Sequence, residues 1–271
     1  MHAHALTVIL IEDIDFPFMV LLASGGHCLL AIAQDIDQFL ILGSTVDVSP
    51  GDAFDKTARA MKLHTLPQFH NTSFGSMLEQ TAKGGDHKSF EMKHSMFKYR
   101  DCNFSFSGLG AAALRIVQEE YERQNWPEDE VLPNVSDISA WFQHIVVYHI
   151  AKRLQRAFIF DRMEELLGKH KTLVVSGGVA SNSYLRSTLQ KVCDLHDCEL
   201  VCPPIKLCTD NGIMIAWNGM EKLLSSKDCF QDPDTVDVKP RSPIGQDISN
   251  EVLKCSIKTP QMPFLKVHVD Y

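Results

Sequence analysis

The chain begins with MHAHALTVIL, which places two histidines, His2 and His4, close together. Two imidazoles that share one helical face need a spacing of three or four residues. Residues two positions apart point about 200° away from each other on a helix. The pair therefore does not form a helical metal site by itself, and a histidine ligand here needs a partner from elsewhere in the chain.

Two glycine turns are the second candidate for chemistry: ASGGH at 23–27 and SGGVASN at 176–182, each after an apolar run of strand length. Glycine pairs let backbone N–H groups approach a ligand closely, and a helix N-terminus behind such a turn favours an anion. One Gly-Gly pair is often only a turn. Two in matching positions of one lobe indicate a nucleotide or acyl-phosphate site.

Two aspartates have both a structural and a functional interpretation. Asp210, in CTDNG before a predicted helix, can cap that helix or bind a metal ion jointly with His4. Asp55, in GDAFDK, can be a solvated or dipole-stabilising carboxylate, or it can bind a substrate hydroxyl. The residues alone leave both pairs of alternatives open.

The hydrophobic pattern predicts an α/β fold with a ribonuclease-H-like order of elements. A glycine turn joins the first two strands as a hairpin, and a helical region is inserted after the first helix. The predicted order is strands at 17–23, 28–34 and 39–48, a helix at 51–63, an insertion at about 64–135, a helix from Ser136 or Asp137 as cap, a strand at 173–175, a helix from about Ser183, a strand at 199–204 and a helix at 207–224. Residues 227–271 form a tail with little periodicity that we expect to be peripheral.

Composition excludes several classes of protein. A formal charge of −8 excludes a general polyanion binder, so any nucleic-acid contact must come from a local patch. One candidate is the basic, aromatic stretch at 83–100, for which a solvated surface is the alternative. The longest apolar runs are far shorter than the roughly 20 residues that a bilayer span needs, so we expect a soluble protein that does not cross a membrane.

The cysteines and the remaining histidines do not indicate a second metal site. Eight cysteines without C-x-x-C spacing are expected to be reduced thiols. The group Cys193, His196, Cys198, Cys202 and Cys208 lacks zinc-finger spacing, which favours buried structural thiols. His144 and His149 lie five apart on one predicted helix, and we interpret them as hydrogen-bonded or surface side chains.

Six ordered motifs between residue 1 and about 225 resemble successive signatures of the tRNA threonylcarbamoyladenosine transferases, once named O-sialoglycoprotein endopeptidases. The last motif and the variant middle segment look most like the mitochondrial branch. The motifs are MHAHAL, LLASGGH, GDAFDKTA, NFSFSGL, VVSGGVASN and LCTDNGIMIAWNGME.

The resemblance implies an actin-like ATPase and sugar-kinase (ASKHA) fold, of which this chain would be one ribonuclease-H-like lobe. It implies transfer of the threonylcarbamoyl group from threonylcarbamoyl-adenylate to N6 of adenosine 37 in tRNAs that read codons starting with A. A separate synthase would supply the adenylate. The implied enzyme is a mitochondrial homodimer with one divalent metal ion, iron or zinc, per subunit.

Carried over by residue, the family's substrate contacts fall on two segments and several single positions. The metal ligands fall on His4 and Asp210, and Asp55 would bind a ribose or other substrate hydroxyl. The match at Gly75 and Glu79 is weaker, because the segment SFGSMLE lacks the family's proline-glycine-glycine approach. The implied substrate contacts are Ala23, Ser24, Gly25, Gly26, His27, Asp55, Gly75, Glu79, Ser181 and Asn182.

The opening motif departs from the family pattern H-M-x-[G/A]-H. His4 matches the second histidine, the first would stand before Met1, and His2 falls on a position that is not a ligand. The resemblance thus predicts that residues 1–15 are the last helix of a first lobe that is largely missing. Two alternatives follow: a transferase known from a truncated sequence, or a short product that binds ligand or a partner protein without catalysis. A metalloprotease is excluded because the sequence has no H-E-x-x-H motif.

We expect the 271-residue chain as written to have little or no transferase activity, and a form extended through the missing histidine to be active. Half of a cleft and one fewer histidine do not preorganise the transfer. Both forms are incubated with tRNA, threonine, bicarbonate, ATP and a synthase, and the modified nucleoside is measured by mass spectrometry. Robust product from the 271-residue chain would contradict this expectation.

Overall fold

A six-stranded sheet in the order β5-β4-β1-β2-β3-β6 organises the computed structural model, which describes residues 1–91, 99–225 and 243–265. The strands are β1 (Phe18–Ala23), β2 (Cys28–Asp35), β3 (Gln38–Ser44), β4 (Lys171–Ser176), β5 (Cys198–Val201) and β6 (Gln246–Asp247). Strands β1 to β3 form an antiparallel meander, and β4 runs parallel to β1. The carboxyl ends of β1, β3 and β4 therefore lie at the same edge of the sheet.

Nine α-helices lie within the described residues. They are α1 (His2–Leu6), α2 (Pro50–Ala60), α3 (Phe74–Ala82), α4 (Ser107–Gln124), α5 (Val135–Glu164), α6 (Ser183–Asp194), α7 (Ile205–Cys208), α8 (Gly212–Ser225) and α9 (Ser249–Lys254). Short 3₁₀ turns occupy Thr7–Leu10, Leu63–Thr65, Pro67–Phe69 and Gly178–Ser181. The predicted α/β, ribonuclease-H-like order is confirmed.

Strand β1 is buried along its whole length because apolar layers cover both faces of the sheet. Met19 and Leu21 point into the larger core, together with residues of α2 to α6. Phe18 and Val20 point into a smaller core, which α1 and Ile244 complete. This two-sided burial explains why the strand reads as a continuous apolar run rather than as an alternating one.

The structure corrects two predicted features of the helices. Helix α5 begins at Val135 after Asn134, so neither Ser136 nor Asp137 occupies the cap position. The predicted helix at 207–224 is two helices, α7 and α8, separated at residues 209–211. The break arises because the Asn211 side chain accepts a hydrogen bond from Met214 N at 3.0 Å and starts a new helix there.

The described part of the tail, residues 243–265, is not peripheral. Val252, Met262 and Leu265 are buried in the larger core. Three cationic side chains bind the backbone of this segment: Arg100 Nη1 donates to Ser256 O at 3.2 Å, Arg156 Nε donates to Ile257 O at 3.2 Å, and Lys152 Nζ donates to Thr259 O at 3.3 Å. The sequence did not predict this packing because the tail lacks a regular hydrophobic period.

Within the described residues, no helix has the length and apolar character needed to cross a bilayer. Helix α8 is nevertheless largely apolar at its surface. Its exposed members include Ile213, Ile215, Met220 and Leu224, and Met214 is its buried residue.

The structure places most of the cysteine group in the core. Cys193, Cys198 and Cys208 are buried free thiols, as predicted, whereas Cys202 is only partly buried. His144 Nδ1 lies 2.7 Å from the Tyr184 hydroxyl, and His149 Nε2 accepts from Ser105 N at 3.2 Å. The basic stretch at 83–100 falls partly outside the described residues, at positions 92–98.

The imidazole of His196 generates a prediction about acid stability. Its ring stacks on Phe158 with centroids 4.8 Å apart, and both ring nitrogens are buried without a hydrogen-bond partner among the described residues. Burial, with Arg162 and Lys171 adding positive charge, lowers the pKa of His196 from 6.5 to about 4, against the opposing effect of Asp197 and Asp161. The folded state therefore binds fewer protons than the unfolded chain between these two pH values.

The His196→Phe variant should lose less stability in acid than the wild type. A lowered pKa means that the contribution of neutral His196 is present above the unfolded pKa and is lost as the pH falls from 6.5 to about 4. The difference should be about 1–2 kcal/mol after solvent screening. Urea unfolding at pH 7 and pH 4.5 measures it, with His170→Phe at an exposed position as the control. Parallel losses in all three proteins would contradict the prediction.

Candidate functional site

The two glycine turns meet because β1 and β4 are parallel neighbours. Leu22 pairs with Ser176, so the chain leaves both strands at the same point. Gly177 has φ +103°, and a Cβ at this position would lie 2.3 Å from Ala23 O. Only glycine permits both this backbone conformation and this close approach. The geometry confirms that ASGGH and SGGVASN lie at one edge of the sheet.

The first turn is held by its own serine and by the start of α2. Ser24 Oγ accepts from Gly26 N at 3.3 Å and from His27 N at 3.1 Å. Ser49 caps α2 and donates its hydroxyl to Gly25 O at 2.5 Å. Two amides of the turn thus already bond to Ser24, while the space where Gly25 and Gly26 would carry a Cβ is open.

Ser49 was missed in the sequence, although it carried a signal. A serine followed by proline is a typical cap and first residue of a helix. Gly51 comes next, and a Cβ on it would lie 2.7 Å from Gly25 Cα. Together Ser49 and Gly51 fix the N-terminus of α2 against the ASGGH turn.

The second turn leads into the capped N-terminus of α6. Asn182 Oδ1 accepts from Leu185 N at 2.9 Å, and Asn182 Nδ2 donates to Gln143 Oε1 at 2.9 Å. Glu79 of α3 accepts a hydrogen bond from Ser183 N at 2.8 Å and another from the Ser183 hydroxyl. The predicted residues Glu79 and Asn182 therefore meet at this helix end. The partners Gln143 and Ser183 had no sequence signal.

Ser181 and Gly75 lie at two further helical starts. Ser181 Oγ donates to Gly178 O at 2.6 Å and so closes the turn before α6. Gly75 is in the first turn of α3, which has no side-chain cap, and nothing lies within 4 Å of the position where it would carry a Cβ. The first amides of α3 thus have no side-chain cap among the described residues.

Asp55 lies in the middle of α2, beyond the first turn, where Asp52 is the acidic residue. Asp52 pairs with Lys56 at 2.8 Å, so a dipole-stabilising role belongs to Asp52 rather than to Asp55. Burial raises the pKa of the half-buried Asp55 carboxyl, and Asp52 raises it further, while Arg59 acts in the opposite direction. A partly desolvated carboxylate of this kind is a strong acceptor for a hydroxyl ligand.

A cleft of about 390 Å³ opens beside Glu79. It is lined by Glu79, Ala82, Lys83, Gln143, Ser183, Tyr184 and Ser187. Polar groups from α3, α5 and α6 therefore surround a volume that is adequate for a small ligand.

His4 and Asp210 come together although 206 residues separate them in the sequence. His4 Nε2 lies 2.8 Å from Asp210 Oδ1, and the carboxylate side chain is 98% exposed. Asn211, not Asp210, caps α8 through Met214 N. The structural alternative for Asp210 is therefore not used, and its carboxylate faces the imidazole.

This pair fits a divalent transition metal as two of its ligands. An imidazole nitrogen and a carboxylate oxygen suit zinc or iron, and His4 Nδ1 is buried without a hydrogen-bond partner among the described residues. His2 points elsewhere: its ring packs edge-on against Phe39, with centroids 5.2 Å apart. In the part of the chain that the structure describes, no three His, Cys, Asp or Glu side chains cluster as a metal site.

Fold and site thus define a class: an α/β fold whose two glycine turns lie at one edge of a sheet, beside helix N-termini and the pair His4 and Asp210. A comparison with sequence families matches residues 1–217 to the tRNA N6-adenosine threonylcarbamoyltransferases. The chain belongs to this family.

Individual relatives agree with this family assignment, and a solved structure agrees with the fold. The mouse "tRNA N6-adenosine threonylcarbamoyltransferase, mitochondrial" is 43% identical over 97% of this chain and 64% of its own length. The zebrafish protein of the same name is 44% identical over 97% of this chain and 65% of its own length. The probable Arabidopsis protein is 39% identical over 91% of this chain and 52% of its own length. Full-length HypF, crystallised in its phosphate- and nucleotide-bound form, has a TM-score of 0.54 at 16% identity over 83% of this chain and 36% of its own, which supports the fold alone.

The chain spans less than two thirds of the length of these mitochondrial relatives.

Gly177→Ala should destabilise the protein and disturb the contact between the two turns. A Cβ at 2.3 Å from Ala23 O, at φ +103°, forces the backbone to move, at a cost of about 2 kcal/mol or more. Thermal unfolding measures the loss. Gly178→Ala is the matched control, because its Cβ would lie 3.8 Å from Thr209 Cγ2, an ordinary contact. Equal stability of the two variants would contradict the steric argument.

Proposed function

We propose that the protein to which this chain belongs transfers the threonylcarbamoyl group from threonylcarbamoyl-adenylate to N6 of adenosine 37 in tRNA. The observations that support the proposal are the meeting of both glycine turns at one edge of the sheet and the pairing of His4 with Asp210, in a chain of this family. Asp55 lies on α2, whose N-terminus packs against the ASGGH turn. Because the mouse and zebrafish relatives are named as mitochondrial enzymes, we propose the same compartment. The proposed lobe comprises residues 16–226 and includes the insertion at about 64–135. The tail at 227–271 follows it.

Each proposed contact has a chemical reason. The face of the turn at 23–27 that is open beside Gly25 and Gly26, and the uncapped N-terminus of α3 at Gly75, would hold phosphate and acyl oxygens. Asp55 would accept a hydrogen bond from a ribose hydroxyl. Glu79, Ser181 and Asn182 would line the part of the site that binds the nucleoside, at the start of α6.

The reaction is an acyl transfer with AMP as the leaving group. The N6 amine attacks the carbamoyl carbon, a C–N bond forms, the bond from that carbon to the phosphate oxygen breaks, and N6 loses one proton. Exocyclic N6 is a weak nucleophile, so positioning of the adenylate must supply much of the acceleration. A divalent ion held by His4 and Asp210 would supply Lewis-acid stabilisation of the developing negative charge.

Further partners belong to the same proposal. A separate synthase would make the adenylate, and tRNA would bind as the second substrate. The net charge of −8 requires that tRNA contacts a local basic surface. Lys83 is exposed and lines the cleft beside Glu79, and Lys88 is a second exposed lysine in the same stretch of sequence. We also propose a homodimer with one iron or zinc ion per subunit.

The 271-residue chain and a form extended upstream of Met1 test the proposal side by side. Both are incubated with tRNA, threonine, bicarbonate, ATP and a synthase, and mass spectrometry detects the modified nucleoside, with the mouse mitochondrial relative as positive control. Product from the extended form that disappears in its Asp210→Asn variant supports the transferase. AMP binding by both forms without product from either supports the alternative of a ligand-binding chain. If neither form gives product or binds AMP, the proposed site is contradicted.

Asp55→Asn should weaken AMP binding about tenfold, since a hydrogen bond to a charged acceptor contributes about 1.5–3 kcal/mol. Isothermal titration calorimetry with AMP measures the affinity. Asp52→Asn is the matched control on the same helix, because that carboxylate pairs with Lys56. Unchanged affinity in Asp55→Asn, or an equal loss in the control, would remove Asp55 from the site.

A further inference from the structure

Arg186 of α6 joins three segments around the candidate site. Its Nε donates to Ala180 O at 2.5 Å, inside the SGGVASN turn. Its Nη2 donates to Pro203 O at 3.1 Å, after β5, and to Cys208 Sγ at 3.3 Å, at the end of α7. One half-buried side chain therefore bonds both the SGGVASN turn and the segment that leads to Asp210.

The nucleotide side of the site depends on the first of these bonds. Ala180 directly precedes Ser181 and Asn182, and its carbonyl is the acceptor. A bond to the Ala180 carbonyl restrains the backbone of the 3₁₀ turn Gly178–Ser181. Arg186 thus fixes the segment from which Asn182 caps α6.

The metal side depends on the other two bonds. Cys208 is fully buried, its thiol donates to Pro203 O at 3.4 Å, and it lies two residues before Asp210. The Asp210 side chain is 98% exposed and contacts His4, so the backbone around Cys208 decides where the carboxylate stands. The SGGVASN turn and the loop at 208–210 are also in contact, because a Cβ at Gly178 would lie 3.8 Å from Thr209 Cγ2.

The chemistry of arginine suits this bridging role. A guanidinium offers five N–H donors in a rigid planar fork, so it can bond three acceptors in different directions at once. A lysine ammonium on a flexible stem holds such a geometry less well. The acceptors are two backbone carbonyls and a thiol, which shows that Arg186 is used for its shape rather than for an ion pair.

We propose that Arg186 is a positioning residue that sets the nucleotide-binding turn at 178–182 and the metal-ligand loop at 208–210 in one arrangement. The identity of the two ligands rests on the proposed function. The structural link itself rests on the three hydrogen bonds of the guanidinium. Loss of Arg186 should therefore affect both halves of the site together.

Binding measurements on the 271-residue chain test this role. AMP and Zn²⁺ are titrated separately by calorimetry against wild type, Arg186→Met and Arg186→Lys. We expect Arg186→Met to weaken both affinities about tenfold, and Arg186→Lys to recover part of each. By contrast, Asp55→Asn should weaken AMP alone and Asp210→Asn should weaken Zn²⁺ alone.

Arg156→Met is the matched control for a purely structural arginine. Arg156 is buried and bonds the carbonyls of Ile257 and Asp101, neither of which belongs to the turn at 178–182 or to the loop at 208–210. The Arg156→Met variant should have a lower melting temperature but unchanged affinities for AMP and Zn²⁺. Loss of only one affinity in Arg186→Met, or of neither, would overturn the proposal.

Hydrogen exchange separates failure of this inference from failure of the proposed function. In Arg186→Met, amides at 178–182 and at 207–210 should both exchange faster, whereas Arg156→Met should leave them unchanged. If the wild type binds neither AMP nor Zn²⁺, the proposed function fails, and the exchange data alone decide the positioning role. Unchanged exchange in either segment of Arg186→Met would overturn it.

Discussion

The parallel pairing of β1 with β4 is the constraint on which the rest of the site depends. These strands are separated in the sequence by β2, β3 and the helices α2 to α5, yet Leu22 and Ser176 are register partners. The chain therefore leaves the sheet twice at one point, and the two turns are close enough that only glycine fits at position 177. Open α/β sheets bind ligands at the carboxyl ends of their strands for this reason.

The helices between α2 and α5 extend the same arrangement. Residues 103–106 attach to the end of β3, where Asn103 Oδ1 accepts from Ser44 N at 3.0 Å and Asp47 Oδ1 accepts from Phe106 N at 2.9 Å. These two hydrogen bonds align α4 with the sheet, and α3 packs against both α2 and α5. Glu79 reaches Ser183 because α3 is held there. The segment that carries α3 and α4 thus contributes to the candidate site as well as to the core.

The fold was predictable where the pattern was strong. The two-sided burial of β1 and β4 gives continuous apolar runs, and the helices α2, α5 and α6 have clear periods or caps. Contacts between distant residues were less accessible: the residues alone offered a joint site of His4 and Asp210 only as an alternative to a helix cap, because no local rule joins positions 206 residues apart. Arg186, Gln143 and Ser183 gave no signal, since their roles depend on backbone acceptors or partners brought near only by folding.

Attachment of the segment at 256–260 through Arg100, Lys152 and Arg156 has a consequence for how its sequence can vary. The acceptors on this segment include the main-chain carbonyls of Ser256, Ile257 and Thr259, which every amino acid possesses. Substitutions within the segment at 256–260 leave those hydrogen bonds available, whereas loss of one of the three cationic side chains removes a hydrogen-bond donor. The residues required for docking this segment thus lie chiefly outside it, so its own side chains can vary with little effect on its attachment.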